Sequence, residues 1–416
     1  MIIPMRALLF SAVIFALVGS TGAQPVRTWQ SDGDQRWSRN GNWSGNRPNN
    51  SNETAEFGTG SQLNPELNAN GYSIRGIQFS SGAGSYNVGD DNGARTLLIG
   101  SGSTGFIQSL SATDQLISIA TLQFQSDATI ATVGTGTLTL SSDLTGNNRD
   151  LTFSTASTIT VTGNITTGNG ILTKQGSADL NLAGSNTYAG LTAIEAGAIV
   201  LQAAEVFANN SSVDISSGAS LRLNSLSETI AQLSGTGTVD FGSGGTLALG
   251  AGTSTFAGDF AGSGTLIIRA GATFALGADF NNSGLNLVLD GGSLLLAGHS
   301  LTLGAVTVTD NSLIDFGPGG LDSVLGVDSV GFAGSGLGLT VQSWADASDY
   351  FYSQTPYAQG SSPLNQITFQ GWTPGDTKWQ SYDNQITPVP EPAVYGAGLL
   401  GLLMAAGWWR RLRLRA

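Results

Sequence analysis

Cysteine is absent from this chain of 416 residues, so disulfides, thiolate metal sites and a cysteine nucleophile are all excluded. A single histidine, His299, rules out a zinc centre built on two or more imidazoles. Any serine–histidine–aspartate relay would have to use that one residue, and no nucleophile-elbow motif accompanies it. Lysine is reduced to Lys174 and Lys378, and the formal net charge is −13. Phosphate binding needs clustered Lys and Arg, so nucleic acid is excluded as a partner. Tryptophan is missing for three hundred residues between Trp43 and Trp344, and sustained helical periodicity is missing from the same stretch.

What the chain has is glycine, 59 residues of it, with 40% hydrophobic and only 11% charged residues. That apolar content is enough to bury a core. The middle is written in apolar pairs separated by one residue: Val213 and Ile215, Leu221 and Leu223, Val239 and Phe241, Leu247 and Leu249, Phe274 and Leu276, Leu301 and Leu303, Val306 and Val308. Strand side chains alternate, so each pair faces one side of a short strand. Gly, Ser, Asn and Asp fill the gaps, as turns require.

Such strands fit a β-sandwich or a β-solenoid. The length of the region and the recurrence of Ser, Thr and Gly at similar offsets favour the stacked array. The expectation is an all-β, right-handed parallel β-helix over residues 71–340, with coils of roughly 22 residues, about twelve of them and nearly 60 Å in all. Trp29, Trp37 and Trp43 mark an N-terminal cap module over 24–70, and Trp344, Trp372 and Trp379 a C-terminal one over 341–388. Repeat arrays need atypical ends to close their cores.

Both termini read as targeting segments. Arg6 precedes a twelve-residue stretch, Ala7 to Val18, that is apolar except for Ser11, and small residues follow up to Ala23. This is the pattern of a secretory signal over residues 1–23 cut after Ala23, and the Sec translocon is the implied exit. At the other end Val389-Pro390-Glu391-Pro392 leads into seventeen uncharged residues, Ala393 to Trp409, and then Arg410, Arg411, Arg413 and Arg415. A helix over that run would cover roughly 26 Å, slightly less than a bilayer core, and the arginines would stop it on the cytoplasmic side.

The order of these three parts over 389–416 resembles the PEP-CTERM sorting signal of Gram-negative bacteria. The resemblance implies a transient hold in the inner membrane, processing by an exosortase-type enzyme, and delivery to the cell surface or extracellular matrix. Loss of Arg6 and the four C-terminal arginines would take the net charge from −13 to −18.

A second resemblance lies within about 170–202, in GILTKQGSADLNLAGSNTYAGLTAIEAGAIVLQ. Gly170 with Leu172-Thr173-Lys174, Leu180-x-Leu182, Asn186-Thr187-Tyr188-x-Gly190, Thr192-x-Ile194 and Ala196-Gly197 resemble the autotransporter-associated β-strand repeat. Ser177-Ala178-Asp179 departs from that pattern. The family context implies a passenger-like parallel β-helix displayed outside the cell.

Candidate chemistry is sparse. Asp214, Asp240, Asp290, Asp310 and Asp315 lie in or beside predicted strands, where the register of a solenoid could pair carboxylates for glycoside chemistry. Ser31-Asp32-Gly33-Asp34 and Gly89-Asp90-Asp91-Asn92-Gly93 are oxygen-rich turns, yet neither completes a calcium loop. Threonine-rich strands and the Tyr and Trp of the C-terminal module offer hydrogen bonds and stacking to sugars. The sequence therefore predicts a structural or adhesive surface protein that is not an enzyme and needs no metal or cofactor. Extracellular polysaccharide is its candidate partner, and a polysaccharide-binding or polysaccharide-cleaving β-helix is the alternative.

Overall fold

The paired apolar side chains do face a common interior: Val213, Ile215, Leu221, Leu223, Val239, Phe241, Leu247 and Leu249 are completely buried. The computed structural model describes residues 24–389 except 32, 319, 320, 347, 374 and 375. The leader up to Ala23 lies outside the described residues, as do Pro390, Glu391, Pro392, the apolar run and Arg410, Arg411, Arg413 and Arg415. Val389 lies within them and donates its N–H to the Asp376 carbonyl at 2.7 Å. No helix among the described residues is long and apolar enough to cross a membrane.

One turn of the chain shows the plan. Ala128–Thr132 forms a strand on the first face, Leu138–Leu140 on the second and Asp143–Gly146 on the third, and Leu151–Thr155 returns to the first. Each first-face strand pairs in parallel with the one a coil away, so that Leu151 stands beside Leu172, Leu172 beside Thr192 and Thr192 beside Val213. The offsets are 21, 20 and 21 residues. The protein is a parallel β-solenoid.

The first face runs unbroken through sixteen strands from Val26–Thr28 to Ile367–Phe369. At ~4.8 Å per step its length is about 70 Å. Thirteen of these strands fall between Gly76 and Gln342. The twelve steps between them range from 20 residues in the middle, as from Thr273 to Ser293, to 30 at the start, from Ile77 to Ile107, and average about the 22 expected. The third face is a separate five-stranded ladder from Ser73–Ile74 to Ile165–Thr166 and resumes at Ser227–Ile230. From Thr238–Leu249 onward the second and third faces are joined by long strands that bend round the corner. The bend lies at Gly242 and Gly244, whose φ of 70° and 125° belongs to the left-handed region that glycine enters without strain.

Stacking puts like residues in contact. Asp127 accepts the N–H of Asp150 at 3.1 Å, and Asp150 accepts that of Ile171 at 2.8 Å, so corner amides are satisfied from one coil to the next. Close approach also explains particular glycines: a Cβ on Gly163 would stand 2.0 Å from the Ser142 carbonyl oxygen, and one on Gly184 2.1 Å from that of Gly163.

Aromatic residues close the ends. Trp29, Trp37 and Trp43 are buried against Phe57, with centroids 4.7–6.3 Å apart and mostly tilted or edge-on. The 42–44 segment covers the outer edge of the first strand through Gln30 N–H to Asn42 O and Ser44 N–H to Thr28 O, both 2.8 Å. Trp344 packs edge-on between Phe316 and Phe369 at 5.0 Å from each. An antiparallel hairpin, Thr377–Gln380 with Gln385–Pro388, lies beyond it and joins the body where Gln385 meets Tyr352. Covered edges of this kind resist end-to-end pairing.

Candidate functional site

Between Thr166 and Ser227 the third face carries no strand among the described residues, and side chains take the place of the missing ladder. Asn186 Oδ1 accepts the Ile165 N–H at 2.7 Å, Asn186 N–H donates to Val206 O at 3.0 Å, and Val206 N–H donates to Glu228 Oε2 at 2.7 Å. Glu228 Oε1 also takes the Phe207 N–H at 3.2 Å. Glu228 is 1% exposed and in register with Leu247, Leu266, Leu287 and Val306, a column that points inward. Burial pushes its carboxyl up to about 7 against the pull of the Val206 and Phe207 amides, and Glu205 nearby adds to the rise.

The neighbouring coil holds two further buried polar groups. Tyr188 fills the core with its hydroxyl 2.7 Å from Thr192 Oγ1, and burial pushes the phenol above its ordinary range. Lys174 is fully buried between Phe153 and Ile194 in the first-face register. Its Nζ donates to the carbonyls of Gln175, Gly176 and Ala196 at 3.1, 2.8 and 2.8 Å. Burial lowers its pKa to about 8, opposed by Asp179. A Cβ at Gly197, whose φ is 69°, would stand 2.5 Å from the Gly176 carbonyl oxygen and 2.7 Å from that ammonium, so glycine is needed there. At the departure from the repeat pattern, Ala178 O accepts the Thr155 hydroxyl at 2.6 Å and Asp179 pairs with Arg222 at 3.1 Å.

Of the five candidate carboxylates, three stand apart and two come together. Asp214 and Asp315 share one first-face column but stand five coils apart, about 24 Å. Asp214 takes the Ser234 hydroxyl, and Asp315 takes the Gly317 amide and the Gln342 side chain. Asp240 is on the second face, bonded to Gly242 N–H. Asp290 and Asp310 are the pair brought together, in register on adjacent coils and bonded to Thr309 and Asn311 respectively. Among the described residues no group of three or more His, Asp or Glu side chains could hold a metal ion.

His299 Nδ1 is 3.4 Å from Asp279, whose carboxylate also accepts the Ser300 N–H. In the oxygen-rich turns the acids already have protein donors. Arg36 and Arg39 lie 2.7 Å from Asp34, and hydrogen bonds, those from Arg36 foremost, hold its carboxyl far below the usual range. Asp90 accepts the amides of Asn92 and Ala120, and Asp91 pairs with Arg95. Asp32 lies outside the described residues.

An open groove of about 350 Å³ runs along the edge between the third and first faces, over Gly291, Gly292, Ser293, Ser312, Leu313 and Thr340. Two features shape it. Glycines leave its floor without side chains, and the link from third to first face lengthens from three residues, 309–311, to six, 333–338, in the next coil. That longer link forms a lip. Gln366 Nε2 pins it through the carbonyls of Gly334 and Leu337 at 2.8 and 2.9 Å, and Asn311 Oδ1 accepts Gly338 N–H at 2.7 Å.

Comparison with known proteins agrees with the repeat. A family model described as the passenger-associated-transport-repeat matches residues 172–201, the segment that carries Lys174, Asn186, Tyr188 and Thr192. No curated protein and no solved structure matches the chain.

Glu228 and the groove were not anticipated from sequence. Glu228 occupies an inward position of an alternating strand, which is the signal that marks it as buried. The groove leaves no such mark, since it arises from the length of a link one coil away.

Proposed function

We propose that this protein is an exported structural or adhesive component of the cell surface or extracellular matrix, in which a right-handed β-solenoid displays one long unbroken face to the outside. One observation carries the proposal: residues 172–201, the segment matched by the passenger-associated repeat, supply two adjacent rungs, Leu172–Gln175 and Thr192–Ile194, of a first face continuous over sixteen strands. The protein is not an enzyme in this reading, which is supported by the separation of Asp214, Asp240 and Asp315 and by the hydrogen bonds that Asp290 and Asp310, the adjacent pair, already accept from Thr309 and Asn311. Covered ends and an acidic body favour separate, well-solvated particles over end-to-end fibres.

In the same reading the leader is cut after Ala23 following Sec export, and Val389-Pro390-Glu391-Pro392 addresses the protein to an exosortase-type enzyme while the tail is held briefly in the inner membrane. The support is the ordered motif, apolar run and arginine cluster of the sequence. Replacing Pro390, Glu391 and Pro392 by alanine tests it. The expected outcome is protein retained in the inner-membrane fraction with its tail intact by mass; unchanged mass and unchanged surface display would contradict the sorting assignment.

A further inference from the structure

We infer that the groove over Gly291, Gly292 and Thr340 binds a short stretch of a neutral polysaccharide. The inference deepens the surface-protein reading and rests on it for its biological setting, but its chemistry comes from the groove alone.

The floor is bare backbone at Gly291 and Gly292, the walls carry the hydroxyls of Ser293 and Thr340 with the Asn311 amide, and Leu313 supplies one apolar surface. No charged side chain lines it. A ligand suited to this lining presents many hydroxyls and some C–H surface, and carries no charge that needs a partner. The surroundings disfavour the polyanionic alternative: residues 269–389 contain ten aspartates against two basic residues, Lys378 and Arg269, and Arg269 stands in register with Asp290. A uronate or sulfated chain would be repelled. Asp290 and Asp310 are not among the lining residues, and each already accepts a hydrogen bond, from Thr309 and Asn311, so the groove presents no carboxylate to a cationic sugar.

Geometry fits a linear polymer. Ser293, Leu313 and Thr340 stand in register on three successive coils, so two hydroxyls about 10 Å apart flank one apolar side chain, with one step of ~4.8 Å close to the length of one sugar ring. Two steps of the stack offer about 10 Å, room for roughly two rings. The lip is fixed by Gln366 and Asn311 before any ligand arrives, so little ordering is required on binding.

The test uses purified full-length protein and four probes: cellohexaose and maltohexaose as neutral chains, an alginate hexamer as the anionic one and a chitosan hexamer as the cationic one. Titration calorimetry should show binding of at least one neutral hexamer and at least tenfold weaker binding of the alginate and chitosan hexamers. Thr340→Trp, at an exposed position that would fill the groove, should weaken neutral binding at least tenfold. Thr129→Trp, an outward position on the same face far from the groove, should leave it unchanged, with the far-ultraviolet circular dichroism of both variants retained. Absence of binding to both neutral hexamers, preference for a charged one, or equal binding by Thr340→Trp would each overturn the assignment. None of these results bears on surface display, which fractionation measures separately.

Discussion

Replacing Glu228 by glutamine should make the protein more stable at pH 8 and remove most of its pH dependence between pH 4.5 and 7. The carboxyl is 1% exposed and its pKa is raised from 4.5 to about 7, first by burial. An acid raised in the folded state keeps its proton after the unfolded chain has lost it. Its stabilising effect is therefore complete below pH 4.5 and is lost as pH rises through about 7. The shift is worth about 3 kcal/mol. Glutamine abolishes that loss but turns one acceptor into a donor facing an amide, at a cost of about 1 kcal/mol. The net gain at pH 8 is thus about 2 kcal/mol, whereas at pH 4.5 the variant should be slightly less stable than the parent. Urea unfolding followed by circular dichroism at pH 4.5, 6, 7 and 8 measures both. A stability difference between parent and variant that stays constant across this range would refute the buried-acid argument.

Two further outcomes follow from the same structure. Lys174→Met removes the donor shared by three carbonyls while keeping the stem; it should lower unfolding stability by about 2–3 kcal/mol at pH 7, read from the urea midpoint. Trp37→Ala opens a cavity under the N-terminal cap, where the indole packs on Trp43 at 4.7 Å; a loss of about 3–5 kcal/mol is expected, with increased binding of a hydrophobic dye at the uncovered end.

Much of the fold was legible because a solenoid is nearly one-dimensional. The pairs from Val213 to Val308 show which side chains face inward, and the small residues between them show where the chain turns; each coil then meets only its neighbours. The tryptophans marked the closed ends for a related reason, since large aromatic groups fill a core that no further coil covers. The candidate sites were less legible. Five aspartates in predicted strands looked equivalent, and only the register separates Asp290 and Asp310, on adjacent coils, from Asp214 and Asp315, five coils apart. Lys174 was noted as part of a repeat, but the burial of its ammonium depends on the carbonyls of Gln175, Gly176 and Ala196 converging from two coils. The break in the third face is likewise a property of three coils together. It appears only when Asn186, Val206 and Glu228 are placed side by side.

The stacking of these coils is the claim on which the rest depends, and the absence of cysteine makes it directly measurable. Thr129, Thr152, Thr173, Ala193, Asp214, Ser234, Thr255, Ala275 and Leu295 form one outward column of the first face. Spin labels on cysteines introduced at Thr129 and Asp214, four steps apart, should lie about 19 Å apart, and labels at Thr129 and Leu295, eight steps apart, about 38 Å. Pulsed dipolar spectroscopy of the two pairs should give a distance that doubles with the number of steps. Equal distances for the two pairs, or a longer distance for the nearer one, would contradict the parallel solenoid and the account built on it.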